Sequence, residues 1–183
     1  PGNDDALRAI KLFAGRVART PAGLTLLTEL AELLRAPVVE GRFVYRMNFP
    51  TRHPLKMALG TTLADSDMVL ALEHPELFHY THTMTPPNRF GMDVQRVLKP
   101  GAKLVTLSSN DLLTKSNYQD AGRYIEADLA IPADAEATLP ALVEACKRLI
   151  TPDRRGAFEG RGKRIAAMTA AQYEQNLAQA ASG

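Results

Sequence analysis

Apolar residues in this chain fall into short unbroken runs separated by stripes of helical period. Val38-Val39 and Met68 to Leu72 are continuous rather than alternating, the pattern of strands covered on both faces. Lys103 to Leu107 and Asp128 to Ile131 read as two further strands. Ile10 to Gly15 is ambiguous, because Leu7, Ile10, Ala14 and Val17 also fit a helical stripe. Gly15 is well placed to end a strand there and turn the chain into a helix.

Between these runs lie the helices. Thr20-Pro21 offers an N-cap hydroxyl followed by proline at the first helical position. Leu24, Leu27, Ala31 and Leu34 then share one face, and the helix stops before Pro37. Leu139, Leu142, Val143, Cys146, Leu149 and Ile150 mark a second helix, which begins between Asp134 and Thr138 because Pro140 belongs in the first turn. Residues 41–54 carry two prolines and little periodicity, so a surface loop is expected. Short helices are expected over 54–64 and 90–98, with a turn at Lys99-Pro100-Gly101. After Ile150 the apolar content falls, and Gly160-Arg161-Gly162 reads as a hinge within an exit linker. Beyond about Ile165 an alanine- and glutamine-rich stretch predicts a helix that packs elsewhere.

Strands alternating with helices imply an α/β fold, doubly wound, with a mostly parallel Rossmann-like sheet of five to six strands and a C-terminal helical tail. The expected division is a domain over 1–150 and a linker with helix over 151–183. Ligand-facing loops would then gather at the carboxyl ends of the strands.

Composition narrows the function. The chain has 183 residues, 45% of them hydrophobic, enough for one sizeable core. Its 22 basic and 20 acidic residues give a net charge of +2, which favours neither nucleic acid nor a membrane as partner. No apolar run approaches a membrane span. The opening Pro1-Gly2-Asn3-Asp4-Asp5 has no apolar leader and reads as the start of a fragment. Cys146 is the single cysteine, so no intrachain disulfide or multi-cysteine zinc site can form, and a cytoplasmic setting is expected.

Candidate chemistry is sparse. No G-x-G-x-x-G follows a strand, since Gly15 is succeeded by Arg16-Val17-Ala18-Arg19. His79 and His82 are three apart and could share a helix face as metal ligands, with His74 nearby. No carboxylate or cysteine completes a set, so His53, His74, His79 and His82 are read as surface or interface residues and no metal site is assigned. Ser108-Ser109-Asn110-Asp111 lacks a nucleophile elbow and reads as a helix-capping loop. Cys146 lies on an apolar face, where burial rather than reactivity is expected. The cations Arg154, Arg155, Arg161, Lys163 and Arg164 are mixed with Asp153 and Glu159, which points to a solvated linker or a contact with an adjoining acidic domain. No catalytic residue is assigned.

One series of segments is distinctive in its order. Ala14-Gly15-Arg16 closes the first strand and Leu33-Leu34-Arg35-Ala36-Pro37-Val38-Val39 passes from helix to strand. Phe49-Pro50-Thr51-Arg52-His53-Pro54 forms a proline-histidine-proline connector, and Ala64-Asp65-Ser66-Asp67-Met68-Val69-Leu70 enters the next strand. Over Ile10 to Ile150 this series resembles the central domain of thiamine-diphosphate-dependent enzymes of the acetolactate synthase and benzoylformate decarboxylase group. The resemblance implies a DHS-like NAD/FAD-binding type of fold, and a scaffold between two outer domains that bind thiamine diphosphate and magnesium across a dimer interface. The chain lacks that family's Gly-Asp-Gly metal segment. It implies, too, flanking cofactor domains and a homo-oligomeric parent acting as a transferase or lyase.

Some members bind FAD in this domain. Arg16, His74, Ser108 and Ser109 would be the positions nearest a nucleotide. The chain departs from the FAD-binding pattern in its shortened passage from His53 to Met68, in Glu73-His74-Pro75-Glu76 where an arginine loop is expected, and in Ser108 and Asn110 where aspartates stand. These departures argue against FAD. The alternative reading is a free-standing FAD-, NAD- or coenzyme A-binding module, and a third is a purely structural or oligomerisation domain.

Overall fold

The computed structural model describes residues 10–41, 48–57, 63–74, 77–85, 93–109 and 125–182. Five strands form one parallel sheet: β1 (Ile10–Ala14), β2 (Val38–Glu40), β3 (Met68–Leu72), β6 (Lys103–Leu107) and β7 (Leu129–Ile131). Their order across the sheet is β2-β1-β3-β6-β7. All four pairings are parallel, as the two-sided apolar runs predict. The first crossover runs outward from β1 to β2 and the next returns to the other side of β1. That reversal puts the topological switch point between β1 and β3.

Alternate residues of the central strands feed two cores. Leu12, Ala14, Leu70, Leu72 and Leu107 pack on one face against Leu27, Leu30 and Ala31 of α1 (Pro21–Leu34) and Leu139 and Val143 of α3 (Ala135–Leu149). Phe13, Val69, Ala71 and Leu104 face the opposite side, with Leu77 of α2 (Leu77–Thr81) and Leu63. Each fully buried Leu or Phe contributes roughly 1.5–3 kcal/mol against exposure, so the central strands dominate the hydrophobic term.

The starts of α1 and α3 follow their capping residues. The Thr20 side chain accepts from the Gly23 N–H, and the Asp134 side chain accepts from the Ala137 N–H. α3 starts at Ala135, within the expected bounds, and Pro140 sits early in its second turn, where its missing N–H forfeits the bond to the Glu136 carbonyl. Leu149, read as part of the apolar face, is 67% exposed. Cys146 is half-buried, and burial raises its thiol pKa.

Three expectations need correction. Residues 93–96 form a strand, not part of a helix: β5 (Asp93–Arg96) pairs antiparallel with β4 (His82–Thr85). Alternating Thr83, Thr85 and Val94 supply the β-branched positions that favour a ribbon; residues 90–92 of the expected helix lie outside the described residues.

The connector also departs from its reading as a surface loop. Asn48 and Phe49 are fully buried, with the Phe49 ring edge-on to His53 at 4.7 Å. Lys56 N–H donates to the His53 carbonyl to close a turn, and Leu55 and Met57 then bond the N–H and carbonyl of Val38, so Lys56 bridges the outer edge of β2 in place of the expected helix. Residues 58–62 lie outside the described residues.

Last, the tail is one continuous helix, α4 (Pro152–Ala181), running straight through Gly160 and Gly162, the expected hinge. Arg161, assigned to a solvated linker, is instead 4% exposed. Arg35, in left-handed conformation at φ 47°, ends α1, and its N–H turns back onto Ala31 and Glu32. Arg161 Nε donates to the Arg35 carbonyl at 3.0 Å and its terminal nitrogen donates to the Leu34 carbonyl. A cation thus sits on the negative end of α1. A Cβ on Gly162 beside it would lie 2.9 Å from the Arg35 side chain, which would have to shift. Ile165 enters the α1–α3 core, and Arg52 lies over the Tyr173 ring. Replacing Arg161 with Ala should destabilise the fold by about 2–3 kcal/mol, because two helix-end carbonyls lose a charged donor. Arg161→Lys should recover only part, a point donor lacking the fork. Urea denaturation of the two variants against wild type checks this.

Candidate functional site

Open α/β sheets present ligand sites at the carboxyl ends of their strands, where the switch point leaves a crevice and helix N-termini offer unpaired N–H groups. Among the described residues β1 and β3 are drawn tightly together at this edge. Gly15 N–H donates to the Leu72 carbonyl at 2.8 Å and Arg16 N–H donates to the Glu73 carbonyl at 2.9 Å, extending the β1–β3 ladder past both strands. The approach is so close that a Cβ on Gly15 would lie 1.9 Å from the Glu73 carbonyl oxygen.

Glu73 is the centre of this edge. It is 4% exposed and adopts φ 48°, a left-handed conformation uncommon for a non-glycine residue. Its carboxylate accepts from the Ser108 hydroxyl at 3.0 Å, the Ser109 hydroxyl at 3.1 Å and the Ser109 N–H at 3.1 Å. It also accepts from the Ala135 N–H, the first residue of α3, at 3.0 Å. The reason is register: Leu72 lies opposite Leu107, so Glu73 and Ser108 leave their strands at the same level.

The N-terminus of α1 is filled in the same manner. Glu136, in the first turn of α3, accepts from the Arg19 and Thr20 N–H groups, each at 3.0 Å, and from the Thr20 hydroxyl. Arg19 bonds Glu136 through Nε at 2.9 Å and reaches Asp134 with its terminal nitrogen. That guanidinium holds the Asp134 carboxyl below the ordinary range. The first N–H of α3 is therefore taken by Glu73, and the N–H groups of the chain entering α1 by Glu136.

His74 completes the seal. It is buried, stacked on Phe13 at 3.9 Å and edge-on to Tyr80 at 5.1 Å. The surface reading of His74 is thus corrected: it packs inside a ring cluster because it follows a buried strand directly. Burial pushes its imidazole down to about 3. The folded protein holds His74 neutral while the unfolded chain takes up a proton near pH 6.5. Stability from this residue is full above that pH and is lost as pH falls toward 3. The slope should approach about 1.4 kcal/mol per pH unit below pH 6. His82, also lowered by burial, acts in the same sense, so the difference between wild type and His74→Leu isolates His74. Denaturation midpoints from pH 7 to 4.5 check this.

The four sequence-assigned positions converge on one residue. Ser108 and Ser109 bind the Glu73 carboxylate, the Arg16 backbone binds the Glu73 carbonyl while its side chain is exposed, and His74 is the next residue in the chain. Ser108 and Ser109 hold Glu73, and the helix that the loop reading has them cap would fall outside the described residues. Asn110 and Asp111 lie outside the described residues. His79 lies in α2 and His82 opens β4, so they do not share a helix face. Among the described residues no three His, Cys, Asp or Glu side chains gather around a metal position.

Solved structures share this fold. Benzoylformate decarboxylase from Polynucleobacter necessarius matches with a TM-score of 0.54 at 21% identity, over 77% of this chain and 26% of that one. A thiamine diphosphate-dependent 4-hydroxybenzoylformate decarboxylase from Rhodococcus jostii matches with a TM-score of 0.53 at 23% identity, over 79% of this chain and 27% of that one. The chain has the fold of a domain of thiamine-diphosphate-dependent decarboxylases. It spans about a quarter of the length of these structures. No family model and no curated protein matches it.

Against a thiamine-diphosphate-enzyme domain that held a nucleotide, the residues at this edge fit poorly. A pyrophosphate would have to meet N–H groups of α3 and of the chain entering α1 that already bond Glu73 and Glu136, and like charge would repel it. Sequence reasoning assigned residues around Glu73 but passed over Glu73 itself as an ordinary neighbour. Among the described residues no helix is long and apolar enough to cross a membrane.

Proposed function

We propose that this chain is the non-catalytic central domain of a thiamine-diphosphate-dependent 2-oxo-acid carboligase or decarboxylase, a scaffold that binds no nucleotide. Its partners in this reading are two flanking domains of the parent chain, which bind thiamine diphosphate and magnesium, in a homo-oligomer. Residues 1–150 form the scaffold and 151–183 lead toward the carboxyl-terminal cofactor domain. A cytoplasmic setting goes with it.

The observation that carries the reading is the pair of carboxylates, Glu73 on the first N–H of α3 and Glu136 on the N–H groups entering α1, at the edge of a sheet with this fold. A free-standing FAD, NAD or coenzyme A module would need those donors for phosphate. An internal carboxylate supplies charge and hydrogen bonding there without a ligand, which suits a brace better than a binding site.

The test is activity by parts. This chain, mixed with thiamine diphosphate, magnesium and benzoylformate or pyruvate, should release no carbon dioxide. A parent chain with the flanking domains should do so. Turnover by the isolated chain would overturn the proposal.

A further inference from the structure

Glu73 is held in a conformation its residue type disfavours, and its carboxylate collects donors from two separate segments, Ser108-Ser109 and Ala135. A left-handed backbone costs a non-glycine residue roughly 1–2 kcal/mol, so something must hold it there. The holding groups are specific to an anion: every partner of the carboxylate is a donor, two hydroxyls and two backbone N–H groups. Ser108 and Ser109 leave β6, and Ala135 opens a 15-residue helix whose dipole points its positive end at the same spot. The cradle is formed by elements that meet whether or not residue 73 carries a side chain, because β3, β6 and β7 are registered by their own ladders.

We propose that Glu73 acts as an internal ligand: its carboxylate occupies an anion cradle built by Ser108, Ser109 and the α3 N-terminus, and shuts the strand-end edge to small external anions. Without that side chain the same donors accept a free carboxylate or inorganic phosphate. The inference deepens the scaffold reading by naming the device that closes the edge. The two can fail separately, since small anions can be tested without any nucleotide or thiamine diphosphate.

Two variants of the full chain decide it. Glu73→Gly empties the cradle and relieves the left-handed backbone, so the protein should remain folded. Its Tm should lie below that of wild type and rise by about 3–5 °C in about 100 mM acetate or phosphate, with no such rise in chloride at equal ionic strength. Wild type should not respond. Glu73→Gln keeps the shape but aims an amide N–H₂ at donors, so its Tm should fall by about 6–12 °C. A folded Glu73→Gly protein that gains nothing from acetate or phosphate, or gains as much from chloride, would overturn the inference. So would an unchanged Tm in Glu73→Gln, which decides the matter if the glycine variant does not fold.

Discussion

Gly15→Ala should be among the most damaging single-methyl changes in this protein, lowering stability by about 3–4 kcal/mol and Tm by about 10 °C. The added methyl would stand 1.9 Å from the Glu73 carbonyl oxygen and 2.5 Å from its carbon, both backbone atoms. Neither can rotate away as a side chain would. Relief requires β1 and β3 to part at their carboxyl ends, breaking the Gly15–Leu72 and Arg16–Glu73 bonds. Parting would also displace the Glu73 carboxylate from Ser108, Ser109 and Ala135. Thermal and urea denaturation of Gly15→Ala beside wild type measure the loss. A change under about 0.5 kcal/mol would mean that this edge yields easily, contrary to the account.

Phe13→Ala should cost about 3–5 kcal/mol, the range for emptying a large aromatic site in a packed core. Phe13 is fully buried, stacked on His74 and 4.8 Å from the Tyr80 ring. The loss has a second signature. Water reaching His74 through the cavity would raise its pKa toward the ordinary value, so stability should depend less on pH between 6 and 4.5. Phe13→Leu should retain much of the stability and most of the pH dependence. Equal pH slopes in wild type and Phe13→Ala would show that Phe13 does not keep His74 dry.

Much of the fold is legible in the sequence because burial on both faces leaves a plain trace. Val69, Leu70, Ala71 and Leu72 alternate between two cores, so none of them is polar. Thr20-Pro21 and Asp134 announce their helices for local reasons that tertiary structure does not override. The elements that escaped depend on distant partners. Each strand of the β4–β5 ribbon carries only one bulky apolar residue, Met84 and Val94, and gains its form from its neighbour. The glycines of α4 suggest a hinge, but Arg161 and Ile165 hold the helix against α1. Proximity in the fold, not local propensity, decides both.

The candidate site was legible in outline. The strand ends were located correctly, and Arg16, His74, Ser108 and Ser109 do surround one point. What occupies that point was not read. Glu73 follows an apolar run, where an acidic residue reads as the first solvated position of a loop. The available signal was register: aligning Leu72 with Leu107 puts Glu73 beside Ser108, and a carboxylate beside two serines suggests a satisfied buried anion.

Isothermal titration of the full chain with FAD tests the central claim, that this edge is closed by the chain's own carboxylates, most directly. The account predicts no saturable heat. Binding of one FAD per chain with a Kd below about 100 μM would contradict it, since the nucleotide phosphates would have displaced Glu73 or Glu136 from its helix N-terminus.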